Sequence, residues 1–151
     1  MKFELDEYHR GVTDDELIDD LKRVALELNK KAIIHIKVDT GMGRLGVLPK
    51  DTLGFIKEIH KLDGLIIEGI FSHLAAADET NKSYTELQIK RFEDLIKELN
   101  RLNIYIPLRH IANSAAVVNL PSTHFNLVRP GIMLYGSYPV KILKPVLKSF
   151  N

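Results

Sequence analysis

The stretch KVDTGMGRLG, residues 37–46, decides how this chain is read. It follows directly on the apolar run AIIHI, residues 32–36, whose β-branched side chains suit a buried strand. The strand ends in a basic and an acidic residue, Lys37 and Asp39, and Gly41 and Gly43 then let the backbone turn tightly while Arg44 is presented from the loop. A rigid strand that delivers charged side chains into a glycine-rich loop is a site-bearing strand end, because binding and catalytic groups concentrate on loops that a scaffold positions.

On both sides of this stretch, helix-period segments alternate with short β-branched runs. Before the strand, Thr13 is an N-cap with Glu16 at the capping-box position, and Leu17, Leu21, Val24, Ala25 and Leu28 form one apolar stripe ending near Asn29. After it, Pro49 opens a helix over residues 49–62. Residues 65–71 form the second strand and residues 83–102 a long helix carrying Leu87, Phe92, Leu95, Ile96 and Leu99. A third strand is expected over 105–111, with Asn113 and Ser114 capping a short helical turn. A fourth is expected over 125–128 with an apolar continuation at 132–135, before a linker marked by Gly136, Pro139 and Pro145. Domain 1–136 followed by linker 137–151 is the expected organisation.

Repeated βα units imply an α/β fold with a parallel sheet, and such folds place ligands beyond the carboxyl ends of the strands. The polar residues gather there: Lys37, Asp39 and Arg44; then Ser72, His73 and Asp78 in SHLAAAD; then His110, Asn113 and Ser114 in HIANSAA; then Arg129 and Gly131 in VRPGIMLYG. The backbone N–H groups of Gly131 and Ile132, with the Ser114 hydroxyl, suit one phosphate. Gly41 and Gly43 lack the spacing of a nucleotide loop, and the sequence carries no zinc or calcium pattern, so no metal is expected.

Composition bounds the alternatives. The 151 residues are 45% hydrophobic and 27% charged, enough for one ordinary core. Twenty-one Lys and Arg against 20 Asp and Glu leave a net charge of +1, which gives no polyanion footprint and no nucleic-acid partner. With no cysteine, disulfides and thiolate chemistry are excluded. No apolar run reaches membrane-spanning length and no signal peptide follows Met1, so no membrane association and a cytoplasmic location are expected.

KVDTGMGRLG, EGIFSHLAAAD, HIANSAAVV and NLVRPGIMLYG, in that order and with those gaps, resemble the successive signature segments of the bacterial alanine racemase family. The resemblance runs over about residues 13–145. It implies an isomerase that uses pyridoxal 5'-phosphate to interconvert L- and D-alanine for cell-wall peptidoglycan, built on a TIM barrel, (β/α)8, of which this chain is about half. It implies that Arg129 hydrogen-bonds the pyridine nitrogen, which a guanidinium keeps unprotonated. Arg44, with Met42 beside it, is implied near the substrate carboxylate. Lys37 matches a lysine carboxylated in many members, or else it pairs with Asp39 or another acid. His73 matches the imidazole stacked on the ring, with His110 behind it. Asn113, Ser114, Gly131 and Ile132 match the phosphate cradle, and Asp78 a residue of the entryway or a helix cap.

The family's Schiff-base lysine lies in a segment similar to V-x-K-A-x-A-Y-G-H-G, and no such segment occurs in these residues. The opposing tyrosine belongs to a C-terminal β domain, and Tyr135 and Tyr138 stand in the wrong segment for it. Racemisation needs a base on each face of a planar carbon, so the chain by itself is expected to be inactive. The alternatives are a noncatalytic cofactor-binding module, a piece complementing the other barrel half, or a racemase for serine, lysine or arginine. A half barrel leaves strand edges open, so a homo-oligomer or a complementary half is the expected partner beside the amino-acid substrate.

Overall fold

The computed structural model of the chain describes residues 10–12, by backbone alone, and 15–137. The expected cap at Thr13 and the linker residues Tyr138, Pro139 and Pro145 lie outside the described residues. The elements are β1 (Arg10–Val12), α1 (Asp15–Glu27), β2 (Ala32–Lys37), α2 (Pro49–Ile59), β3 (Leu65–Phe71), α3 (Ser83–Arg101), β4 (Leu108–His110) and α4 (Ser114–Asn119). Two 3₁₀ turns follow at Pro121–Thr123 and Gly131–Tyr135.

The sheet runs β1-β2-β3-β4 in sequence order, every pair parallel. Parallel neighbours joined by crossover helices are right-handed, so strands in sequential order put every helix on the same side of the sheet, as in a barrel wall. One core joins that side: Ile18, Leu21 and Ala25 of α1, Ile56 and Ile59 of α2, and Phe92, Leu95, Ile96 and Leu99 of α3 pack on Ile34, Ile36, Val38, Ile67 and Ile70. Because strand side chains alternate, the opposite face carries His35 and Lys37 of β2 with Phe71 and His110. Towards the start of the strands, Ile33 and Ile66 are 40% and 42% exposed.

Two expectations about strands are corrected. The described chain begins with β1, which three residues with a central glycine do not announce. The segment 125–128 is not a strand, nor is 132–135, which is 3₁₀. Phe125 adopts a φ of 46°, which no ladder accommodates. Beside β4, the Asn126 side chain takes over the pairing, receiving the Arg109 N–H at 2.8 Å and donating to the Pro107 carbonyl at 2.7 Å. A single backbone bond, Arg129 N–H to Ala112 O at 3.0 Å, then ties the segment to the loop after β4.

Candidate functional site

The loop after β2 closes on itself. Val47 donates to the Lys37 carbonyl and Asp39 to the Val47 carbonyl, both at 2.9 Å, so the glycine loop returns to the strand that launched it. Asp39 turns back on that loop, accepting from Gly41 N–H at 2.9 Å and from Gly43 N–H at 2.9 Å. Burial raises its carboxyl, but these N–H donors, that of Met42 and the Lys37 charge more than offset it, so the group lies below the usual carboxylate range.

A buried polar thread fixes this loop to its neighbours. Gln88, fully buried on α3, donates to His73 O at 3.0 Å and to Thr40 Oγ1 at 3.3 Å, and its carbonyl receives Ala75 N–H at 2.9 Å. Ser72 donates to the Val38 carbonyl at 2.7 Å, which leaves its oxygen to accept from Thr40 at 2.7 Å. Sequence reasoning missed Thr40 and Gln88. Their signal was present in Thr85 and Gln88, polar members of the stripe that continues as Phe92, Leu95, Ile96 and Leu99, since a glutamine in a core stripe must be hydrogen-bonded.

Beyond the carboxyl ends of the strands lies a cavity of about 420 Å³, lined by His73, Asp78, Asn113, Ser114, Arg129, Gly131 and Ile132 among others. Seven residues expected from sequence thus share one space. Asn113 accepts the Ala116 N–H at 3.1 Å as N-cap of α4 and donates to Leu74 O at 3.0 Å. Gly131 stands close against this wall, for a Cβ there would lie 3.2 Å from Ser114 Oγ. Gly131 and Ile132 open a 3₁₀ turn, so their N–H groups have no partner within it.

Arg129 is the most constrained member. Its guanidinium donates to Ser72 O at 2.6 Å, to His110 O at 3.2 Å and to His110 Nδ1. Burial lowers it to about 10, so it is charged at neutral pH. Its charge reaches its neighbours. Burial first, then Arg129 and Arg44, hold the Lys37 amine below its ordinary value. Burial, then Arg129, Lys37 and Arg44, hold the His73 imidazole below its own, which makes it a neutral ring. Lys37, Met42, Arg44 and His110 do not line the cavity; Arg44 is exposed, and Lys37 and His110 are buried and flank Phe71 across the sheet. A wider depression of about 530 Å³ beside Lys57, His60 and Tyr105 lies far from these groups, before β4.

Residues 6–139 match the family model described as alanine racemase, N-terminal domain. The chain belongs to the alanine racemase family. It is 45% identical over 129 residues to the alanine racemase of Methanococcus maripaludis, covering 85% of this chain and 35% of that one. It is 52% identical over 120 residues to alanine racemase 1 of Clostridium acetobutylicum, covering 79% and 31%. Among solved structures, alanine racemase of Clostridium difficile 630 in complex with cycloserine superposes with a TM-score of 0.85 at 36% identity, over 91% of this chain and 38% of that one. The Bacillus anthracis enzyme with bound L-Ala-P gives 0.78 at 32% identity, over 92% and 36%. The chain spans about a third of the length of the curated relatives it matches. The four-stranded arc is therefore part of an alanine racemase TIM barrel, in a family that depends on pyridoxal phosphate.

Proposed function

We propose that this chain supplies the cofactor-holding half of an alanine racemase barrel and that the 420 Å³ cavity takes pyridoxal phosphate. The observation that carries this reading is the union, in one cavity, of a fixed guanidinium, a neutral imidazole and a wall of hydroxyl and backbone N–H donors. The volume suits a small aromatic ligand, and the donors suit its anionic end. When bound, that cofactor supplies an electron sink that acidifies the Cα proton of an amino acid.

Each residue has a part in this reading. Arg129, already anchored on Ser72 and His110, would donate to the cofactor's ring nitrogen, which would then be held as an acceptor. Ser114, Gly131 and Ile132 receive the phosphate, with Asn113 fixing the turn between β4 and α4. His73, held neutral in the cavity wall, would face the cofactor's ring without adding a positive charge. Arg44 and Met42, at the loop tip, meet the substrate carboxylate, and Asp78 stands at the entry. Lys37, as an anionic carbamate, would orient Arg44.

The reaction assigned to the complete machinery is alanine racemisation, which the relatives' names support. In this reading the bases on the two faces of Cα belong to the family's lysine segment and its C-terminal β domain, so the chain alone does not racemise. The exposed Ile33 and Ile66 support pairing with a complementary half or a second copy. Equilibrium dialysis tests the site. The chain should retain pyridoxal phosphate weakly and noncovalently, and an Arg129→Ala, Ser114→Ala double variant should lose it; equal retention by both would reject the site. D-alanine should form only on co-expression with the segments that carry the lysine and the tyrosine.

A further inference from the structure

The inner face of the sheet holds a line of polar side chains that starts from Arg129 and its anchor His110 and runs on to two residues, His35 and Glu68, for which the site just described has no part. His110 Nε2 lies 2.9 Å from His35 Nδ1, and His35 Nε2 lies 3.0 Å from Glu68 Oε2. At its other end His110 Nδ1 meets Arg129 Nη1. Both histidines are buried, His35 and His110 each at 5% exposure.

The direction of every bond follows from chemistry. A guanidinium has donors only, so His110 Nδ1 must accept and its proton must sit on Nε2. That N–H faces His35 Nδ1 at 2.9 Å and donates to it, which puts the second imidazole in the same tautomer. His35 Nε2–H then donates to a carboxylate, which has acceptors only. A proton added to either ring would set two donors face to face. We infer that Arg129, His110, His35 and Glu68 form a one-way hydrogen-bonded relay in which His35 and Glu68 are positioning residues for the guanidinium.

Two features of the fold serve this relay. β2 and β3 pair Ile34 with Ile67 and His35 with Gly69, so Glu68 is the extra residue of a bulge. Gly69 makes room for the ring: a Cβ there would lie 2.4 Å from His35 Nδ1, although the Gly69 backbone is open to any residue. Phe71 stacks on His110 with ring centres 4.9 Å apart and planes within 1°, which fixes the plane in which His110 receives Arg129. None of this adds to the apolar core on the other face. Charge-assisted ends and mutual polarisation make such a chain stronger than its separate bonds, and it terminates a buried cation on a carboxylate.

The inference rests on the proposed cofactor site only for what Arg129 is positioned to do; the relay is tested first without cofactor. In ¹⁵N-labelled chain at neutral pH, two-bond ¹⁵N–¹H spectra of the imidazoles should show His35 and His110 both as neutral Nε2–H tautomers. A proton on Nδ1 of either ring, or on all its nitrogens, overturns the relay, whatever any variant does. His35→Gln should preserve the His110 tautomer, because an amide accepts with its oxygen and donates with its nitrogen, whereas His35→Leu and Gly69→Ala should lose it. By dialysis, His35→Leu should bind pyridoxal phosphate about fivefold more weakly, the equivalent of one net hydrogen bond, and His35→Gln should bind as the unsubstituted chain does. Equal weakening by Gln and Leu would reduce His35 to packing and refute its positioning role. No binding by the unsubstituted chain would reject the cofactor reading and leave the tautomers to decide the relay.

Discussion

Replacing Gly46 by alanine should cost this chain far more than replacing Gly43, although both glycines belong to the same loop. Gly46 has a φ of +121°, and a Cβ there would lie 2.9 Å from Asp39 N, 2.9 Å from Lys37 O and 3.1 Å from Val38 C. All three are backbone atoms of the end of β2, so no rotamer relieves the clash. The conformation itself costs about 1–3 kcal/mol for a residue with a side chain. Relief requires the loop to lift from the strand, which forfeits the two 2.9 Å bonds between Val47 and residues Lys37 and Asp39, at about 1 kcal/mol each. The expected loss is about 4 kcal/mol, a large part of the ~5–15 kcal/mol that holds an ordinary domain together. Gly43, with φ +70° and no atom within 4 Å of a built Cβ, should cost only about 1 kcal/mol, the left-handed penalty alone. Urea unfolding followed by far-ultraviolet circular dichroism measures both, and Gly46→Ala should melt about 10 °C below Gly43→Ala for a chain of this length. Losses for the two variants within 1 kcal/mol of each other would refute the claim that Gly46 is where the loop clamps to β2.

Two further outcomes are expected. The folded chain holds His73 neutral to a lower pH than the unfolded chain, whose imidazole protonates near 6.5; the unfolded state therefore binds more protons below that value, and stability should fall as pH drops from 7.5 through 6.5 and stop falling from this group once the folded imidazole also protonates. Urea titrations should show a smaller loss on acidification for His73→Gln, and an equal loss would sink the assignment. The depressed Lys37 amine should attack carbon dioxide with its free lone pair, losing a proton to give a carbamate anion beside Arg44. A carbamate carbon signal in ¹³C-bicarbonate that is absent from Lys37→Arg checks this, and its presence in that variant would place the adduct elsewhere.

The alternation of helix and strand was legible because the two periods differ and the runs are long: the strand expected from the run at 32–36 and the elements expected at 65–71 and 83–102 became Ala32–Lys37, Leu65–Phe71 and Ser83–Arg101. β1 was not, since Arg10–Val12 is a strand only by pairing with Ile34 to Ile36. The segment 125–128 misled for the converse reason, for its apolar alternation is genuine but Asn126 supplies with a side chain what a ladder would supply with backbone. The cavity residues His73, Asp78, Asn113, Ser114, Arg129, Gly131 and Ile132 were legible because each follows an apolar run. His35 and Glu68 were hidden inside such runs, and their meeting depends on a bulge between strands that no local pattern records.

This division has a consequence for how the molecule tolerates change. The apolar side chains that hold the sheet to α1, α2 and α3 lie on the outer face, whereas Lys37, His35, His110 and Arg129 crowd the inner one. Burying mutually repelling cations among polar rings is a cost that the outer core has to offset, and binding sites generally retain such strain. Gln88 is the exception that joins the faces: it belongs to the core stripe of α3, yet its side-chain amide bonds to Thr40, His73 and Ala75 in the loops that frame the site. The helical layer thus sets where the loops after β2 and β3 stand relative to each other. The position of Arg129 against Ser72, and with it the shape of the cavity, follows from that single buried amide as much as from any residue that lines the cavity itself.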